Sequence, residues 1–141
     1  MIGENLKSVV NKYPRVFADF HADVMSEIPT GWTALVEELC SRLDSNFNEY
    51  DPNQTTVFDV MQIKEKFGSL RFYHHIETTN DSLYWKIKSL IHECEVKSQF
   101  ICQYTGKPGE LCMKDKWLMV LCEEKRIEFG AIKAKKELNS L

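Results

Sequence analysis

Apolar residues recur along this chain in two rhythms. Trp32, Leu35, Val36, Leu39, Cys40 and Leu43 stand at i, i+3, i+4, i+7, i+8 and i+11, the stripe of an amphipathic helix, and Thr30 after Pro29 is placed to cap it. Leu83, Ile87, Leu90, Ile91 and Cys94 repeat the spacing behind the capping residues Asn80, Asp81 and Ser82, which predicts a helix over 82–98. Asn5 to Tyr13 reads as a short helix stopped by Pro14, and Asn46 to Thr55, with Asp51-Pro52-Asn53, reads as a loop. Residues 56–76 read as a β-hairpin, two short strands folded back on each other about Phe67-Gly68. Gly106-Lys107-Pro108-Gly109 is a turn, and Trp117 to Cys122 is an apolar run of the length of a buried strand. Ile127, Ala131, Ala134 and Leu138 mark a charged C-terminal helix over 123–138. The expected fold is α+β, a small antiparallel sheet built on the hairpin and covered by helices. One domain is expected over 1–141, with a helical part over 1–50.

The hairpin can be read to the level of register. With Phe67-Gly68 as a two-residue turn, Lys66 faces Ser69, Glu65 faces Leu70, Lys64 faces Arg71 and Gln62 faces Tyr73. Alternation then assigns Met61, Ile63, Leu70, Phe72 and Ile76 to the core face. Gln62, Lys64, Lys66, Arg71, Tyr73 and His75 take the other face, and His74 and His75 point to opposite sides. The outer face opposes like charges directly, which destabilises a hairpin unless solvent or an anion offsets it. Two readings are open. In one, the face is solvated, with its cations paired to Glu93 or Glu95. In the other, it is a phosphate or carboxylate site in which Arg71 supplies a bidentate fork and Tyr73 a stacking surface, with Glu95 as internal competitor.

Composition narrows the class. A chain of 141 residues that is 43% apolar has enough material for one core. A formal net charge of −3 gives no general attraction for nucleic acid, so any anion site must be local. The opening MIGENLKSVV has neither a basic leader nor a long apolar run, and no segment approaches a membrane span, so a soluble cytoplasmic protein is expected. Five cysteines, Cys40, Cys94, Cys102, Cys112 and Cys122, then read as free thiols or metal ligands in place of a disulfide framework. Cys102-Gln103-Tyr104-Thr105-Gly106 and Cys122-Glu123-Glu124-Lys125 have the outline of two zinc knuckles, but Thr105 and Lys125 stand where second ligands belong. Cys112, Cys94 or His92 would have to complete a rearranged site; the expectation is no metal and no cofactor.

The ordered series Gly31-Trp32, QIKEKFGSLRFY, Glu95-x-x-Ser98, Cys102, Gly106-x-Pro108-Gly109, Trp117 and Leu121-Cys122 resembles a family of small, mostly uncharacterised bacteriophage and prophage proteins, over residues 30 to 125. Members of that family look like zinc-ribbon proteins, and this chain departs from them at Thr105 and Lys125. The resemblance implies an accessory protein acting in the cytoplasm of an infected bacterium, with no reaction implied.

For catalysis the chain offers His21, His74, His75 and His92, but no His-x-Glu-x-x-His, Gly-x-Ser-x-Gly or phosphate-loop pattern, and no catalytic residue is assigned. Three functions stay open. In a phage setting, the hairpin face, with Gln62, Lys64, Lys66, Arg71, Tyr73, His75 and Glu95, would sequester an anionic nucleotide-type immune signal of the host without turnover. The second is a protein-binding inhibitor using Tyr84 and Trp85, unless those rings pack against the hairpin. The third is a nucleotide phosphodiesterase with His75 or Tyr73 as proton-transfer group. A nucleotide-like ligand is the expected partner, membrane and nucleic acid are not, and a homo-oligomer is open.

Overall fold

A computed structural model describes residues 4–18 and 28–134. Helix α1 (Glu4–Lys12) ends before Pro14, and a 3-10 turn (Thr30–Trp32) leads into α2 (Thr33–Tyr50). Strands β1 (Val57–Lys66) and β2 (Ser69–Glu77) form the hairpin, followed by α3 (Asp81–Ser98). A second, three-stranded sheet in the order β4-β3-β5 contains β3 (Glu110–Lys114), β4 (Trp117–Leu121) and β5 (Ile132–Lys133), with α4 (Glu123–Phe129) between β4 and β5. This is a small α+β fold of antiparallel strands with helices around them. Among the described residues no helix is long and apolar enough to cross a membrane.

The helical stripes and the inner face of the hairpin meet in one core. Leu35, Val36, Leu39, Cys40, Leu43 and Phe47 of α2 and Leu83, Ile87, Ile91 and Cys94 of α3 are buried with Phe58, Val60, Ile63, Leu70 and Phe72 of the strands. Each large side chain there contributes about 1.5–3 kcal/mol by leaving water. Trp32 is fully buried, and its indole N–H donates to the Ile101 carbonyl at 2.8 Å, which ties the start of α2 to the segment after α3. Beside it the Gly31 N–H donates to the Gln103 carbonyl at 2.8 Å, so close that any side chain at Gly31 would strike the Cys102 carbonyl. Cys112, Leu121 and Ala131 form a smaller core under the second sheet.

Five local expectations are corrected. Helix α2 continues through Asn46–Tyr50, where a loop was expected, because Phe47 extends the stripe into the core; Asp51, restricted by the following Pro52, ends it. Thr30 does not cap α2 but opens the 3-10 turn, and the Thr33 hydroxyl bonds back to its carbonyl at 2.9 Å. The C-terminal helix stops at Phe129 because Gly130 takes a left-handed φ of 68°, after which Ile132–Lys133 pairs with β3. Leu138 lies outside the described residues, as does His21. Strand β3 was not anticipated, since its turn to β4 is Asp115-Lys116, with φ of 50° and 72° and no glycine to announce it. Met61 is exposed, for it is the extra residue of a β-bulge between Val60 and Gln62.

Candidate anion-binding face

The hairpin adopts the register its sequence predicts. Lys66 pairs with Ser69, Glu65 with Leu70, Lys64 with Arg71 and Gln62 with Tyr73. Phe67 and Gly68 carry φ of 54° and 78°, the two left-handed positions of a type I′ turn. A bulky Phe there is strained, and the tip is held because Gly68 seats against Leu111 and the Leu118-Met119 backbone of the second sheet.

On the outer face, Lys64 and Arg71 are half-buried and directly opposed, while Lys66 is exposed with its ammonium 5.6 Å from the Phe67 ring centroid. Arg71 Nε is buried without a hydrogen-bond partner. Gln62 is half-buried and Tyr73 exposed one step further along, about 6.6 Å from the cation pair by strand rise. Beyond them His75 stands opposite Asp59, and its Nε2 lies 3.2 Å from Glu77 Oε1. The face therefore runs from cations at the tip, through an amide and a ring, to carboxylates at the open end. Met61 joins it through the bulge, a placement the sequence signalled: Phe58, Val60 and Ile63 are spaced by two and then by three.

Glu93 and Glu95, the two candidate internal partners of these cations, are engaged elsewhere. Glu95 Oε2 accepts the Phe72 N–H at 2.9 Å and Ser98 Oγ accepts the Leu70 N–H at 2.8 Å, so α3 seals the outer edge of β2 with side chains. Glu93 pairs with Arg42 and Lys97, each at 3.3 Å. Among the described residues no carboxylate lies within ion-pair distance of Lys64, Lys66 or Arg71.

The remaining candidates separate. His74 turns inward against Phe58 and Phe72, at ring-centroid distances of 5.7 and 6.2 Å, and burial lowers its pKa below the ordinary imidazole value. Tyr84 is half-buried edge-on to Trp85 at 5.1 Å, but Trp85 does not pack on the hairpin; it is exposed beside a 580 Å³ groove between α2 and α3 with Arg42 and Asn46. Cys94 faces the Leu35 carbonyl in the main core, Cys112 lies in the smaller core and His92 is exposed, so no rearranged ligand set forms around Cys102. Among the described residues no three His, Cys, Asp or Glu side chains gather where they would hold a metal ion. No family model, curated protein or solved structure matches this chain.

Proposed function

We propose that the outer face of the β1–β2 hairpin binds an anionic, nucleotide-type small molecule and holds it without turnover. The observation that carries this reading is the commitment of Glu95 to the Phe72 amide and of Glu93 to Arg42 and Lys97, which leaves the Lys64–Arg71 pair without a counter-charge among the described residues. Opposed like charges cost up to about 1 kcal/mol, and a phosphate between them reverses the sign. Tyr73, with Met61 and Gln62 beside it, offers a base a stacking surface about 6.6 Å from that phosphate. With the resemblance to phage proteins, the ligand class is a nucleotide signal of host immunity, sequestered in the bacterial cytoplasm.

The test compares wild type with Arg71→Ala and Lys64→Ala, with and without cyclic di- and trinucleotides and cyclic ADP-ribose compounds. Both variants should melt at or slightly above the wild-type temperature when free. Each should bind about 30- to 100-fold more weakly, the loss of a charge-assisted contact of about 2–3 kcal/mol. Ligand released by denaturation should be intact. Strong destabilisation of the free variants with binding unchanged sinks the proposal, and product formed in excess of protein replaces it with a phosphodiesterase. A second reading rests on Trp85, exposed on the α2–α3 groove: an inhibitor of a host protein, which Trp85→Ala would disable while leaving nucleotide binding intact.

A further inference from the structure

The five cysteines fall into two environments. Cys40 and Cys94 neighbour each other in the apolar core, where burial pushes both thiols up, Cys94 to about 12. Cys112 is likewise pushed up by burial. Cys102 and Cys122 are also buried, but among hydrogen-bond donors. The Thr105 hydroxyl lies 3.6 Å from Cys122 Sγ and within reach of Cys102 Sγ, and it accepts the Lys107 N–H at 3.1 Å, which turns its proton toward the sulfurs. The amides of Tyr104, Thr105 and Cys122 itself point at Cys102 Sγ. The two backbones run side by side here: a Cβ added at Gly109 would stand 3.1 Å from the Cys102 nitrogen and 2.9 Å from the Leu121 carbonyl carbon, so Cys102 and the residue after Leu121 converge on the same hydroxyl. Burial opposes ionisation of Cys102, but these donors outweigh it and hold the thiol at about 7. The segments next to both cysteines are exposed, Tyr104 and Gly106 on one and Glu123 and Glu124 on the other, so the pair lies just beneath the surface.

We propose that Cys102 and Cys122 are an oxidant-responsive dithiol that closes to an intramolecular disulfide on reaction with hydrogen peroxide. The Cys102 thiolate attacks one peroxide oxygen and the O–O bond breaks, giving a sulfenic acid on Cys102 and hydroxide, which a proton converts to water. Cys122 sulfur then attacks the Cys102 sulfur, the S–O bond breaks and a second water leaves. Two thiols and one peroxide become one disulfide and two waters. Closure bridges the segment after α3 to the start of α4 around the second sheet, so it also removes freedom from the unfolded chain.

Full-length protein, treated with chelator and then with hydrogen peroxide at neutral pH, should lose two hydrogen atoms in mass. Dithiothreitol should reverse the change, and peptide mapping should join the Cys102 and Cys122 peptides while Cys40, Cys94 and Cys112 stay alkylatable. The oxidised form should melt at a higher temperature. Thr105→Val should form the same disulfide several-fold more slowly, and Cys122→Ser should stop at a sulfenic acid on Cys102 that dimedone traps. If Cys122→Ser fails to fold, the wild-type map and the Thr105→Val rate still decide. A Cys40–Cys94 crosslink formed first, oxygen addition without crosslink, or a Thr105→Val rate equal to wild type overturns the proposal.

Discussion

Replacing Asp51 by Ala should be among the most damaging single changes outside the hydrophobic core. Its carboxylate is buried and accepts the Thr55 N–H at 3.0 Å, the Thr55 hydroxyl at 2.8 Å, the Thr56 N–H at 3.0 Å and the Arg15 guanidinium at 2.7 Å. Burial alone would push this carboxyl up, but the hydrogen bonds from Thr56, Thr55 and Arg15 outweigh it and hold the pKa at about 2 against an ordinary 3.8. At about 1.4 kcal/mol per pKa unit, the ionised form contributes about 2.5 kcal/mol to stability. A depressed acid gives that stability fully above its unfolded value of 3.8 and loses it as pH falls through about 2. Asp51→Ala also leaves Arg15, over the Phe47 ring at 5.2 Å, with the backbone carbonyl of residue 51 at 3.0 Å as its one hydrogen-bond acceptor among the described residues. The total loss at neutral pH is therefore about 3–5 kcal/mol. Urea unfolding followed by circular dichroism measures it, and the gap between wild type and variant should shrink by about 2 kcal/mol toward pH 2. A gap below about 1 kcal/mol at neutral pH, or one that does not change with pH, would refute the assignment of Asp51 as an ionised junction.

Glu95→Ala should cost about 1–3 kcal/mol by stranding the Phe72 amide, whereas Glu95→Gln, which keeps an acceptor oxygen, should cost under about 1; equal losses in urea unfolding would mean that the carboxylate charge, not the edge bond, is what matters. His74 is depressed below 6.5 by burial, so the unfolded chain takes up a proton first and stability should fall as pH drops below that value. His74→Phe should remove this slope, and a constant difference between the two proteins from neutral pH to about pH 5 would show that the ring is not buried neutral.

The hairpin was legible to the level of individual pairs because period-two alternation and a Phe67-Gly68 turn act over a few residues. The stripes of α2 and α3 were legible for the same reason. Asp115-Lys116 has no glycine, and its left-handed backbone is imposed by β3 and β4 pairing, so the turn left no local mark. Ala131 and Ala134 fit a helical stripe as well as they fit the buried positions around β5, and only Gly130 argued for a stop. The role of Glu95 was out of reach: it serves an amide 23 positions away, and that partnership exists only once α3 docks along β2. Cys102, Thr105 and Cys122 were visible as an outline, but their hydrogen bonds depend on how two distant segments meet.

The bulge at Met61 bears on how this chain tolerates a change in length. Val60 pairs with His74 and Gln62 with Tyr73, so removing Met61 would join two neighbours that already oppose two neighbours, and every side chain of β1 would keep its side of the sheet. Deleting Glu65, with the Phe67-Gly68 turn in place, would instead turn the inner row outward and carry Lys64 into the core. In an alignment of similar chains a gap of one belongs at Met61, and a sequence lacking that residue would present the same cationic row.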